Sequence, residues 1–313
     1  MMIHFVIVNY NSGEWLSKAV ASVIEHAGEI PWQLSVVDNA SSDNSMAQAR
    51  GFVKEAQGCV SEAQGGVNQA QDSHVNQNID WVCNEQNIGF AAANNQIMSQ
   101  SSADFFILMN PDCELASGSI STMLKAFEQN DSWGLASCRI LNEDGSLQAT
   151  CRRRFPTPWS ALVRMLLLDK LFPNNPRFGN FDYGNNVASD DAQQEIEAIS
   201  GAFMVVRGSA LKDVGLLDEG YFMHCEDLDW CKRFHMASWA VGFVPSASVT
   251  HAKGVSSKSR PIAVLWTLHK GMNRFFDKFY KANYAFPIRY LVKIGILFSF
   301  VGRSLLALSL IHI

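Results

Sequence analysis

The architecture this sequence predicts is α/β: a mostly parallel central sheet flanked by helices. Three observations carry that expectation. Short runs rich in β-branched residues alternate with stretches of helical apolar spacing over the first 115 residues. Those runs stop at polar or acidic residues, at Asn9, at Asp38 and at Asn110-Pro111-Asp112. The chain has 313 residues, of which 48% are hydrophobic and 20 are Phe, enough for one large core and an appendage.

The first strand is expected over residues 3–8. Met1 leads into it with neither a basic flank nor a small-residue cleavage site, so the run reads as a strand and not as a signal peptide. Residues 15–26 carry apolar side chains at 15, 16, 19, 20, 23 and 24, one face of a helix. A second strand follows at 33–38, and a helix with good capping residues opens at Ser42. Residues 80–83, 90–99 and 104–109 read as strand, helix and strand. Strands separated by helices imply βαβ units, which bind ligands where the strands end.

Residues 55–79 break the pattern. Glu55–Val60 nearly repeats as Glu62–Val67, and the stretch is rich in Gln, Gly and Asn, so a low-complexity surface insertion is expected. After residue 150 the regularity drops. A basic run, Arg152-Arg153-Arg154, precedes an apolar stretch at 159–172 and an Asn- and Gly-rich loop at 173–186. A strand is expected over 196–207, a short helix over 210–214 and another apolar run over 240–249. Residues 1–260 are expected to form one domain and 261–313 a helical, membrane-associating segment.

The tail from 288 to 313 is apolar apart from Arg289, Lys293, Arg303 and His312. On a helix the three Arg and Lys residues fall at about 0°, 40° and −40°, on one face. That arrangement suits a helix lying at a membrane surface, with its basic face at the headgroups. The bland alternative is a helix packed on the domain.

Composition excludes several classes. A net charge of −5 argues against general nucleic-acid binding. Seven Cys without a CxxC pair suggest neither a zinc site nor a disulfide framework, so reduced cytosolic thiols are expected.

Several segments could carry chemistry. Asp38 at the end of the second strand can accept the imide N–H of a pyrimidine or merely form an Asx-turn. Gly89 opens a helix of small residues through which a nucleotide, or another backbone, could approach closely. Asp112, behind Pro111, could be a hard oxygen ligand for Mg²⁺ or Mn²⁺ or part of a turn. Glu226, Asp227 and Asp229 crowd one helical N-terminus, where like charges raise one another's pKa. His251 could reach the same cation, although a lone His is more often structural.

Taken together, residues 6–11, 36–45, 87–95, 106–115, 200–207, 215–233 and 251–256 resemble the inverting family 2 glycosyltransferases with the GT-A fold. The likeness is greatest to the rhamnosyltransferase-like branch of bacterial polysaccharide assembly. The resemblance implies residue roles. Asp38 and Asn39 would contact the nucleoside of the donor, with Tyr10, Asn11, Asn87, Gly89 and Asn94 lining its pocket. Asn110 and Asp112 would face the diphosphate, and Asp112 would hold Mg²⁺ or Mn²⁺ with His251 as a further contact. Asp227 would be the base, with Glu226 and Asp229 positioning it or the acceptor. Apart from the resemblance, Arg152, Arg153 and Arg154, with Trp230, could meet a polyprenyl-diphosphate-linked or oligosaccharide acceptor, or the arginines could form a solvated basic turn beside a core helix.

The donor expected from this branch is dTDP-L-rhamnose, and the location is the inner face of the cytoplasmic membrane. The sequence departs from the family at Asn110, where the metal motif commonly has an acid. A nucleotidyltransferase and an inactive sugar-nucleotide-binding protein are the alternatives; the first would need a Gly-rich basic loop after the first strand.

Overall fold

The computed structural model describes residues 1–63, 78–172, 175, 177, 178, 193–252 and 261–311. Eleven strands, β1 to β11, and ten helices, α1 to α10, follow one another along those residues. The first half reads β1 (Ile3–Asn9), α1 (Trp15–His26), β2 (Trp32–Asp38), α2 (Ser45–Ala63), β3 (Ile79–Cys83), α3 (Phe90–Met98), β4 (Phe105–Met109), β5 (Cys113–Leu115), α4 (Ser119–Gln129) and β6 (Trp133–Leu141). The second half reads β7 (Arg152–Arg153), α5 (Pro158–Met165), α6 (Leu168–Leu171), β8 (Gln194–Glu195), β9 (Ala198–Ile199), β10 (Phe203–Arg207), α7 (Gly208–Val214), α8 (Glu226–Met236), β11 (Ala240–His251), α9 (Pro261–Phe279) and α10 (Phe286–Ile311).

The main sheet runs β3-β2-β1-β4-β10-β6-β11-β5, with β8 on β11. β1 pairs in parallel with both β2 and β4, and β2 with β3. β1 and β4 are buried along their whole length, covered on both faces, and read as near-continuous apolar runs interrupted only by His4 and Asn9. Phe5, Phe106, Phe127, Phe203, Phe243 and Trp133 fill the core on either side of the sheet.

The expected strand over 196–207 divides. A turn at 200–202 separates β9 from β10, and β10 runs antiparallel to β4 with Phe203 opposite Met109. Apolar content alone does not reveal strand direction, because either direction buries the same side chains. α2 continues to Ala63, into the stretch expected to be an insertion. Ile79, at the far end of that stretch, begins β3, and residues 64–77 lie outside the described residues, as does most of the expected loop at 173–186.

α10 is one helix, and Phe286–Ser309 within it is long and apolar enough to cross a membrane, with a mean hydropathy of 1.8. It packs on α9 by one stripe. Lys293 pairs with Asp277 at 2.8 Å, Ile296 is buried, Ser299 meets His269 at 3.2 Å, and Phe300 packs edge-on against Trp266. The basic face expected at lipid headgroups is therefore turned in part onto α9. Leu291, Leu297, Phe298, Leu305 and Leu306 remain exposed on the opposite face.

Candidate active site

Strand order decides where a ligand crevice opens. The chain leaves β1 for β2 on one side and later returns to β4 on the other. At such a switch the connections diverge and leave a cleft beyond the carboxyl ends of the two strands. Asn9–Asn11 end β1 and Asn110–Asp112 follow β4, so both segments border that cleft.

On the β2 side, Asn9 and Asp38 face each other in register. Asn9, fully buried, donates from Nδ2 to Asp38 Oδ1 and to Ser45 Oγ, both at 2.8 Å. Ser41 donates to the same carboxylate from its hydroxyl at 2.6 Å and from its backbone N at 3.2 Å. Asp38 thus closes a turn through Ser41, three residues on, which fixes its carboxylate at the carboxyl end of β2.

The neighbouring amides engage protein groups. Asn11, at φ +51°, accepts on Oδ1 from the backbone N of Ser42 at 2.7 Å and of Asp43 at 3.3 Å. Asn39 donates to Gly89 O at 3.1 Å and accepts from Asn84 at 3.0 Å, and Asn87 accepts from Gly89 N at 3.0 Å. Asn11, Asn39 and Asn87 hold the loops that shape the wall. Tyr10 lies half-buried between Asn9 and Asn11. Asn94 donates back to Phe90 O at 2.9 Å, and its buried Oδ1 has no partner among the described residues.

Gly89 joins this wall to the acidic helix. Its φ is +90°, and a Cβ there would lie 2.6 Å from Phe222 O, so only Gly fits. Phe90 N donates to that same carbonyl at 2.9 Å.

Across the cleft, β11 pairs antiparallel with β5 so that His251 stands opposite Cys113. This register brings His251 Nε2 to 3.2 Å from Asp112 Oδ1. The donor atoms of Asp112, Cys113 and His251 lie within 4.8 Å of one another. Cys113 does not suit a cation site. Burial, then the Asp112 charge, pushes its thiol well up, and its Sγ donates to Ala202 O at 3.3 Å. Asp112 and His251 do fit Mg²⁺ or Mn²⁺: a hard oxygen and an imidazole nitrogen converge from two strands. Asn110 Nδ2 is 3.5 Å from the same imidazole nitrogen, too long for a firm hydrogen bond.

The acids of α8 take different parts. Asp227 Oδ2 accepts from Gly201 N at 2.9 Å and pairs with Arg153 Nη2, which also donates to Ile199 O. Burial works against the Arg153 charge, but Asp227 outweighs it and holds the guanidinium above its usual pKa. Asp227 Oδ1 accepts only the N–H of the next residue, Leu228, among the described residues. Glu226 is buried, and its Oε2 has no partner there. Burial, then the Asp227 charge, pushes its carboxyl up to about 8. The turn before α8 is strained, with His224 and Cys225 both at φ +70°. Gly271 of α9 lets that turn approach: a Cβ at Gly271 would meet His224 O at 2.8 Å.

The cation side and the acidic helix meet through two residues. Gly201 binds Asp227, while the carbonyl of Ala202 accepts Asn110 N at 2.9 Å and the Cys113 thiol. The segment that carries Asp112 and the side chain of Asp227, 115 positions apart in the sequence, therefore meet at one dipeptide.

Other expected site residues belong to the fold. Asp229 is fully buried and accepts from Arg233 Nε at 2.7 Å and Lys278 Nζ at 2.6 Å, so it ties α8 to α9 and is not a site carboxylate. Trp230 is fully buried and donates to Gly215 O at 2.9 Å, out of an acceptor's reach. Arg152 is buried over the Phe243 ring, and Arg153 is taken by Asp227, so neither is a surface phosphate contact. Arg152 and Arg153 diverge because successive residues of a strand point to opposite faces, and Arg154 lies past the end of β7. Arg154 alone is exposed.

Sequence reasoning missed Asn9, Gly201 and Gln148. Asn9 could have been found as the polar residue in register with Asp38. Gln148, in an irregular segment, left no signal.

Comparison with known proteins settles the family. The glycosyl transferase family 2 model matches residues 4–183. The chain belongs to glycosyl transferase family 2. It is 26% identical over 302 residues to the N-acetylglucosaminyl-diphospho-decaprenol L-rhamnosyltransferase of Mycobacterium tuberculosis, covering 92% of this chain and 88% of that one. It is 26% identical over 195 residues to rhamnosyltransferase WbbL of Escherichia coli K12, covering 62% of this chain and 64% of WbbL. Among solved structures it is similar to GalNAc-T7 with UDP, GalNAc and Mn²⁺, at a TM-score of 0.57 and 14% identity over 90% of this chain and 48% of that chain, about half its length. That likeness concerns the fold, which is GT-A. The chain is a rhamnosyltransferase-like glycosyltransferase of this family.

Proposed function

We propose that this glycosyltransferase moves a hexose, L-rhamnose from dTDP-L-rhamnose, with inversion onto a hydroxyl of a polyprenyl-diphosphate-linked acceptor in cell-surface polysaccharide synthesis. Lipid-linked rhamnosyl transfer is what the mycobacterial relative's name describes, and that relative aligns over most of both chains. The observation that supports the reading is that the Asn110–Cys113 segment, which carries Asp112, bonds Ala202 while Asp227 bonds the adjoining Gly201.

Asp38 holds the nucleoside end of the donor, and Asp112 with His251 faces the diphosphate. A divalent cation bound there would offset the charge that grows on the leaving diphosphate. Arg153 and Gly201 N fix Asp227 through Oδ2, which leaves Oδ1 for the acceptor. In the reaction the acceptor O–H proton passes to Asp227 Oδ1 and its oxygen bonds to the anomeric carbon. The bond from that carbon to the diphosphate breaks on the opposite face, and the nucleoside diphosphate departs with the electron pair. Glu226, its carboxyl raised to about 8, is largely protonated at neutral pH and does not compete as the base.

The exposed face of α10 and the exposed Trp159, Leu166 and Phe172 of the α5–α6 region form the surface toward the membrane that carries the acceptor. The protein acts at the inner face of the cytoplasmic membrane. Asp227→Asn tests the assignment of the base. A positioned base contributes ~10²–10⁴-fold, so turnover falls by that factor while dTDP-L-rhamnose binding, measured calorimetrically, stays within about threefold. Turnover within tenfold of wild type would remove Asp227 from the role.

A further inference from the structure

Gln148 takes no part in the reading above, yet its side chain is buried and bonded at both ends to one residue. Its Nε2 donates to His251 O at 2.9 Å, and its Oε1 lies 3.1 Å from His251 Nδ1. Backbone bonds at 2.8 Å from Gln148 N to Ile140 O and at 3.0 Å from Cys151 N to Gln148 O hold the residue in place.

These contacts fix which imidazole nitrogen carries hydrogen. A backbone carbonyl only accepts, so the Gln148 amide must turn its NH₂ toward His251 O. Its oxygen then faces Nδ1, and an amide oxygen only accepts, so Nδ1 carries the hydrogen. A neutral imidazole has one N–H, which leaves Nε2 with a bare lone pair. That lone pair points at Asp112 Oδ1, 3.2 Å away. Two electron-rich atoms so close repel unless a positive charge is held by both.

We infer that Gln148 is a positioning residue for the cation site: through Nδ1 it locks His251 in the tautomer whose Nε2 faces Asp112 as a ligand. The inference rests on the Asp112–His251 cation reading. An outer partner on the far nitrogen orients a ligating imidazole and raises its basicity, and losing one costs about 10–100-fold in metal affinity.

The test compares two variants that both lose the bond to His251 O. Gln148→Leu removes the acceptor for Nδ1–H, whereas Gln148→Glu keeps an oxygen there. Mn²⁺ alone is titrated into the full-length protein, and free Mn²⁺ is read by its EPR signal. Gln148→Leu should weaken binding 10–100-fold, and Gln148→Glu should bind within about threefold of wild type or more tightly. Without Mn²⁺, two-dimensional ¹⁵N–¹H spectra should show the His251 ring as the Nδ1–H tautomer in wild type and as a mixture in Gln148→Leu.

A purely structural role would weaken both variants equally and leave the ring signals unmoved, which would overturn the inference. Asp112→Asn separates the two levels. If it leaves Mn²⁺ affinity unchanged, or if wild type binds no Mn²⁺, the cation reading itself falls. If Asp112→Asn abolishes binding and Gln148→Leu does not weaken it, only the role of Gln148 falls.

Discussion

Glu226→Gln probes the acidic turn by changing one proton's worth of charge. The buried carboxyl rises from an ordinary 4.5 to about 8, through burial and the neighbouring Asp227 charge. A raised folded-state pKa means that folding takes up a proton between those two values. The stability tied to that proton is fully present below about pH 4.5 and is lost as pH climbs through about 8. Each unit corresponds to about 1.4 kcal/mol, so the loss across the window is on the order of 3–5 kcal/mol. Glutamine is isosteric and carries no charge at any of these pH values, so it escapes the loss.

Urea unfolding of wild type and Glu226→Gln at pH 5, 7 and 9 measures the difference. The two proteins should be close in stability at pH 5, and the variant should be the more stable by an increasing margin toward pH 9. Parallel stability profiles would refute the assignment of a protonated, buried Glu226. Kinetics supply an independent check. A neutral acid and an amide are alike at pH 7, so the variant should keep turnover within about tenfold. A loss beyond about a hundredfold would mean that the carboxylate form of Glu226 works in the reaction.

Two other predictions follow from residues outside the chemistry. Asp229→Asn breaks a fully buried carboxylate's pairs with Arg233 and Lys278. It should cost about 3 kcal/mol in urea unfolding while folded enzyme keeps near-normal turnover; unchanged stability with lost turnover would return Asp229 to the active site. Removing residues 286–313 deletes the exposed apolar face of α10, and liposome flotation should fall several-fold relative to the full chain. Equal flotation of the two proteins would move membrane contact away from this helix.

Much of the fold is legible because burial writes itself into local composition. β1, β2 and β4 are short apolar runs with polar residues at their ends, and α1 shows its buried face as a 3.6-residue rhythm. The direction of β10 is not legible, because pairing partners lie far away in sequence. The candidate site divides in the same way. Asp38, Asp112 and Asp227 stand out as acids at the ends of apolar runs or at the start of a helix. Asp229 looks equivalent to Asp227 in the sequence, two positions on. In the folded chain Asp229 turns about 200° around the helix axis from Asp227, into the contact with α9. Nor does a run of three arginines disclose that one of them is paired with Asp227.

The sequence by itself determined the class of fold, the family and the acids that could do chemistry, because those depend on local pattern and residue type. Tertiary structure alone decided which acids are locked into the fold, as Asp229 is, and which nitrogen of His251 faces Asp112. It also decided that Arg153 holds Asp227 and that the stripe bearing Lys293 turns toward α9. Each of those outcomes is set by atoms a few ångströms apart that the chain separates by as many as 139 positions, as with Asp112 and His251. Only the folded backbone brings such groups together.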